Sequence, residues 1–111
     1  MTIETLQAIC ENLPGVTQDI KWENHLCFNV GEKMFLVTNP DEVPHTATFK
    51  VSDEEFEETS QRKGFKPAPY MARYKWVRVE NINLLSKKEW EQFIKQSYQL
   101  VYDKLPAKIK K

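Results

Sequence analysis

Apolar residues recur along this chain at two spacings, one helical and one alternating. After Thr2, a residue suited to capping, Ile3, Leu6, Ile9 and Cys10 fall on one face of a helix. The pattern predicts a short amphipathic helix to about Asn12, stopped by Leu13-Pro14-Gly15. Three extended runs follow, Asp19 to Trp22, His25 to Val30 and Lys33 to Thr38, the last two joined by a tight turn at Gly31-Glu32. Asn39-Pro40-Asp41 reads as a turn. A fourth strand, His45 to Val51, alternates, with His45, Ala47, Phe49 and Val51 on one face and Thr46, Thr48 and Lys50 on the other.

Ser52-Asp53-Glu54-Glu55 then has the form of a capping box and opens a helix to about Lys63, closed by Gly64. Its acids stand at the N-terminal end and Arg62 and Lys63 at the C-terminal end, as the helix dipole favours. Phe65 to Tyr70, with two prolines, is expected to be an ordered loop, and Lys75 to Glu80 a fifth strand. Ser86 and Glu89 form a second capping box before a final helix to about Lys104. Its buried stripe is Trp90, Phe93, Ile94, Ser97, Val101 and Leu105, with Ser97 small enough to let the helix press on the sheet. The order α-β-β-β-β-α-β-α predicts an α+β fold, a two-layer sandwich of an antiparallel five-stranded sheet with helices packed mainly on one face. Residues 1–111 are expected to form one domain without internal repeats, with a disordered basic tail over residues 108–111.

Charge changes the picture. Residues 1–60 carry twelve acidic and three basic side chains, and residues 61–111 carry thirteen basic and four acidic, so a neutral chain is built from halves of −9 and +9. The segment from Arg62 to Arg78 holds six cations, no acid, and the rings of Phe65, Tyr70, Tyr74 and Trp76. Cations neutralise phosphates and flat rings stack on unpaired bases, so this composition suits nucleic acid. The predicted strand faces bring Lys50, Trp76 and Arg78 together, with Arg73 and Lys75 close in sequence. Those five residues are the candidate nucleic-acid site. The competing reading makes Trp76 and Tyr70 structural aromatics and leaves the cations as a solvated surface paired with the acidic helix.

Other chemistry finds little footing. His25 and Cys27 share a strand face, but two ligands do not make a zinc site, and nothing suggests a third group to orient Cys27 as a nucleophile. Gly15, Gly31 and Gly64 are isolated, so there is no glycine-rich phosphate loop. The expectation is a protein without enzymatic activity, metal or cofactor. No apolar run approaches the roughly 20 residues of a membrane helix, and the first residues lack a signal-peptide pattern. A cytoplasmic location with reduced Cys10 and Cys27 follows as the default.

Seven short motifs carry a family resemblance. They are Trp22 after a strand, Lys33-Met34-Phe35, Phe49-Lys50-Val51, Pro67-Ala68-Pro69-Tyr70, Lys75-Trp76-Val77, Ser97-Tyr98 and Leu105-Pro106. In this order the chain, from about Thr2 to Lys108, resembles the YjbR/MmcQ family of small bacterial proteins. The resemblance implies a two-layer sandwich akin to secretion-chaperone folds, and DNA binding as the family's usual description. Three functions stay open: nucleic-acid binding, a protein- or peptide-binding adaptor that could be a homodimer, and a small-molecule binder. The last would use a pocket or loop formed by Trp22, Pro69, Tyr70 and Tyr98.

Overall fold

The Thr2 hydroxyl accepts the Thr5 N–H at 3.1 Å and opens α1, Ile3–Glu11, whose Leu6 and Cys10 are buried one turn apart. The computed structural model describes residues 1–22 and 24–109; Lys110 and Lys111 of the expected tail lie outside the described residues, while Lys108 sits in a turn closed by Ile109 N–H to the Pro106 carbonyl. After α1 come β1 (Val16–Lys21), β2 (His25–Val30), β3 (Lys33–Asn39), β4 (Thr46–Lys50), α2 (Asp53–Ser60), β5 (Phe65–Pro67), β6 (Trp76–Val79) and α3 (Lys87–Asp103). The strands form one antiparallel sheet in the order β1-β2-β3-β4-β6-β5. Leu6 and Cys10 of α1, Phe56 of α2, and Trp90 and Ile94 of α3 all meet the same sheet face, which presents Phe28, Leu36, Phe49, Val77 and Val79. The α+β two-layer architecture is as expected.

Among the described residues the sheet has six strands rather than five. Phe65–Pro67, expected as loop, is a short edge strand paired with β6 through Phe65↔Val79, Lys66↔Arg78 and Pro67↔Val77. Three residues are too few to show alternation, and a proline without an N–H is tolerated at a sheet edge. Two boundaries also move. β1 begins at Val16, and its six residues are exposed or half-buried, so no buried alternation marks its start. α2 ends at Ser60 with Gln61 as its cap, so Arg62 and Lys63 lie beyond the helix rather than in its last turn. The Ser86–Glu89 box forms in full, whereas at α2 the Glu55 carboxylate meets the Ser52 hydroxyl rather than the Ser52 N–H.

Between β2 and β3, Gly31 and Glu32 both adopt positive φ, as the tightest hairpin turn requires. A Cβ on Gly31 would stand 2.6 Å from Leu105 Cδ1, so any other residue there strains the left-handed backbone and pushes the Leu105 side chain aside. Further along β3 the register slips. Phe28 pairs with Leu36 but Asn29 pairs with Met34, which leaves Phe35 as the extra residue of a bulge. Phe35 thereby turns into the core, where its ring meets Tyr98 edge-on at 5.5 Å.

At the same place β3 and β4 part. Their pairing runs from Asn39↔Thr46 to Leu36↔Phe49, and Phe35↔Lys50 would come next. The Ser97 hydroxyl of α3 stands between them instead, accepting the Lys50 N–H at 3.0 Å and donating to the Phe35 carbonyl at 2.6 Å. One side chain, itself fully buried, thus replaces a rung of the sheet and keeps both backbone groups satisfied.

Candidate functional site

The parting of β3 and β4 opens the end of the sheet. Lys33 and Met34 at the start of β3, Lys50 at the end of β4, Trp76 at the start of β6 and the last turn of α3 surround a cleft of about 500 Å³ there. Its cations are Lys33, Lys50 and Lys104, its rings Tyr74 and Trp76, and Val101, Leu105 and Pro106 add apolar surface; among the described residues no Asp or Glu lines it. Lys50 is held in place by donating through Nζ to the Tyr74 carbonyl. Burial pulls the Lys50 ammonium below its ordinary pKa, Lys104 and Lys75 push the same way, and Asp53 opposes them. A partly buried ammonium repelled by its neighbours gains from an incoming anion.

The segment beside the cleft is tightly built. A single 3₁₀ turn over Ala72–Tyr74 ends at Lys75 in a left-handed conformation, and the Lys75 carbonyl accepts the Val51 N–H at 2.9 Å. Tyr70, also at positive φ, is fully exposed. The Arg73 guanidinium lies 4.9 Å from the centre of the Tyr74 ring, and the Lys75 ammonium 5.1 Å from that of Phe56.

The five residues expected to bind nucleic acid are thus distributed differently. Lys50 and Trp76 are direct partners in the sheet, as are Thr48 and Arg78, so the shared face is real. Trp76, however, is only 7% exposed, so its ring lines the cleft instead of offering an open stacking face. Arg78 is engaged by Glu42 at 3.4 Å and Glu80 at 3.8 Å. Arg73 and Lys75 stay on the neighbouring turn. The basic segment is paired partly through Arg62–Glu89 and Lys66–Glu80; among the described residues no ion pair reaches the acids of α2.

The second expected group does not come together. Trp22 is exposed past the end of β1 and meets His25 edge-on, and Pro69 and Tyr70 are exposed on the loop before the 3₁₀ turn. Tyr98 is buried, donating to the Pro14 carbonyl at 2.6 Å, and lines a separate groove with Leu13, Val30 and Tyr102. Sequence reasoning had not grouped Lys33, Tyr74 and Lys104 with Lys50. Each stands at the end of an element, where linear patterns say least about neighbours.

Cys10 and Cys27 are free and fully buried, Cys10 in the core and Cys27 on the opposite sheet face. Burial pushes both thiols up, Glu11 adding to the effect at Cys10; at Cys27, Lys21 opposes it and Asp19 adds to it. An aromatic disulfide reagent at pH 8 is therefore expected to modify neither thiol in the native protein and both after denaturation. Stoichiometric native labelling would contradict this burial. Among the described residues no three His, Cys, Asp or Glu side chains gather as a metal site, and no helix is long and apolar enough to cross a membrane.

Comparison with known proteins bears on the fold. The crystal structure of a Deinococcus radiodurans protein with a DUF419 domain superposes with a TM-score of 0.86 at 23% identity, over 97% of this chain and 84% of that one. A protein from Pseudomonas syringae superposes with a TM-score of 0.74 at 22% identity, over 90% of this chain and 98% of that one. No curated protein matches the sequence. The YjbR family model matches residues 11–100, from the end of α1 through most of α3, and therefore takes in the bulge, the Ser97 bridge and most of the cleft; the chain belongs to the YjbR family.

Proposed function

We propose that this protein is a binding module for single-stranded nucleic acid, with the cleft at the open end of the sheet as the seat for a phosphate and its neighbouring base. One observation carries the reading: Lys33, Lys50 and Lys104 converge beside Tyr74 and Trp76 with no acid among the lining residues. The lysines neutralise phosphate, and the exposed Tyr70 and Arg73 on the adjoining loop supply a ring and a cation for the strand where it leaves the cleft. Arg78 is assigned no contact, since Glu42 and Glu80 already meet its charge. The overall neutrality of the chain keeps the affinity modest and strongly salt-dependent.

The test is fluorescence anisotropy with labelled single-stranded and duplex DNA across a salt series. Lys33→Ala/Lys104→Ala is compared with Lys87→Ala/Lys88→Ala, which removes the same charge from exposed positions at the other end of α3. The single strand is expected to bind more tightly than the duplex. The cleft variant should lower the slope of log K against log salt by about 1.4, at roughly 0.7 per phosphate contact, while the control leaves it unchanged. Equal losses in both variants, or no binding at low salt, would remove the cleft from nucleic-acid recognition. A second reading, a small anionic ligand enclosed whole, is favoured by the cleft's size, which falls within the range of small-molecule pockets. Stoichiometric binding of a mononucleotide with no added affinity for longer strands would select it.

A further inference from the structure

The two edges of the sheet are unequal. β5 is three residues long and carries Pro67, which limits pairing along that side. β1 has six residues and no proline, pairs among the described residues only with β2, and leaves Ile20 59% exposed. Trp22, just past the strand, is 63% exposed. We propose that β1 pairs antiparallel with β1 of a second copy, about a two-fold axis at Ile20, joining two six-stranded sheets edge to edge.

The register follows from backbone geometry and charge. In an antiparallel ladder, directly opposed residues are alike in whether their N–H and C=O groups point toward the partner. Two copies of one strand must therefore oppose residues of the same parity, so a two-fold axis falls on a residue. An axis on Asp19 sets two carboxylates face to face. An axis on Gln18 opposes Asp19 to Thr17 and leaves Lys21 unmatched, and Gln18 is already engaged by Gln7 and Glu11 of α1. An axis on Ile20 opposes Asp19 to Lys21 twice and Ile20 to Ile20. Neither Asp19 nor Lys21 is in an ion pair within the described residues. Asp19 Oδ1 accepts from Asn29 Nδ2 at 3.2 Å, which leaves Oδ2 for the copy's lysine. The same two charges that discourage other strands are complementary to themselves in this one register.

Sedimentation equilibrium over a wide range of protein concentration tests the proposal. The wild type is expected to dimerise reversibly. Asp19→Lys alone opposes lysine to lysine and Lys21→Asp alone opposes aspartate to aspartate, each weakening self-association by about ten- to thirtyfold. Mixed in equal amounts, the two variants restore both opposite-charge pairs and are expected to recover the dimer as a heterodimer. Circular dichroism identical to the wild type checks that the exposed substitutions leave the fold intact. A wild type that stays monomeric at every concentration overturns the proposal. So does a dimer indifferent to Asp19→Lys, a mixture that fails to recover association, or an edge that pairs only with a different protein.

Discussion

Ser97→Ala is expected to lower the unfolding free energy by about 2–5 kcal/mol, far more than the loss of one exposed hydroxyl. The substitution removes the partner of a buried backbone group, the Phe35 carbonyl, and of a part-buried one, the Lys50 N–H, each costing roughly 1–3 kcal/mol when unsatisfied. Alanine fills nearly the same space, so a cavity contributes little and the loss reports the bridge itself. Urea denaturation checks the magnitude, with an unchanged dependence on denaturant showing that the unfolded state is the same. Native-state hydrogen exchange supplies a local readout, because the Lys50 amide should lose protection while its neighbours in β4 keep theirs. A loss below about 1 kcal/mol with that amide still protected would show that the strands can close their own rung.

Trp90→Ala carries the other large effect, about 3–5 kcal/mol. Trp90 is fully buried, packs edge-on against Phe49 at 5.6 Å and donates from Nε1 to the Ile82 carbonyl at 2.8 Å. Its removal opens a void between α3 and the centre of the sheet and strips the turn before α3 of its tether. At this chain length the melting temperature should fall by roughly 12–20 °C. Trp90→Phe separates the two causes, since it keeps most of the apolar area but not the donor, and is expected to cost about 1–3 kcal/mol. Similar losses for Phe and Ala would show that the hydrogen bond dominates; a negligible loss for Phe would assign the effect to volume.

Helices and central strands were legible because periodicity is a local property. The stripe of α3, the faces of β4 and the two-residue hairpin at Gly31 can each be read within a dozen residues, and each is where expected. β5 was not, because its strand character lies in its backbone partner, β6. Trp76 was placed on the correct face, while its two readings, stacking ring or structural aromatic, stayed open. Face assignment gives direction, not cover, and here α3 and the Tyr74 turn enclose the end of the sheet. Ser97 was read as a spacer because its size is visible in sequence, whereas its role depends on a bulge at Phe35 that the strand pattern does not announce. The cleft was half visible for the same reason. Lys50 and Trp76 were paired from strand alternation, while Lys33 and Lys104 enter only when elements distant in the chain end at the same place.

The Ser97 bridge also sets an order of events for a chain made from its N-terminus. Its hydroxyl joins Phe35 and Lys50 from 62 and 47 residues downstream, so all six strands exist before the group that closes the central seam has been synthesised. Until then the group that fills the rung between β3 and β4 is missing, as are Trp90 and Ile94, which cover the same face of the sheet. Completion of the fold is thereby tied to arrival of the final helix, which favours late, cooperative closure over stepwise hardening of the sheet.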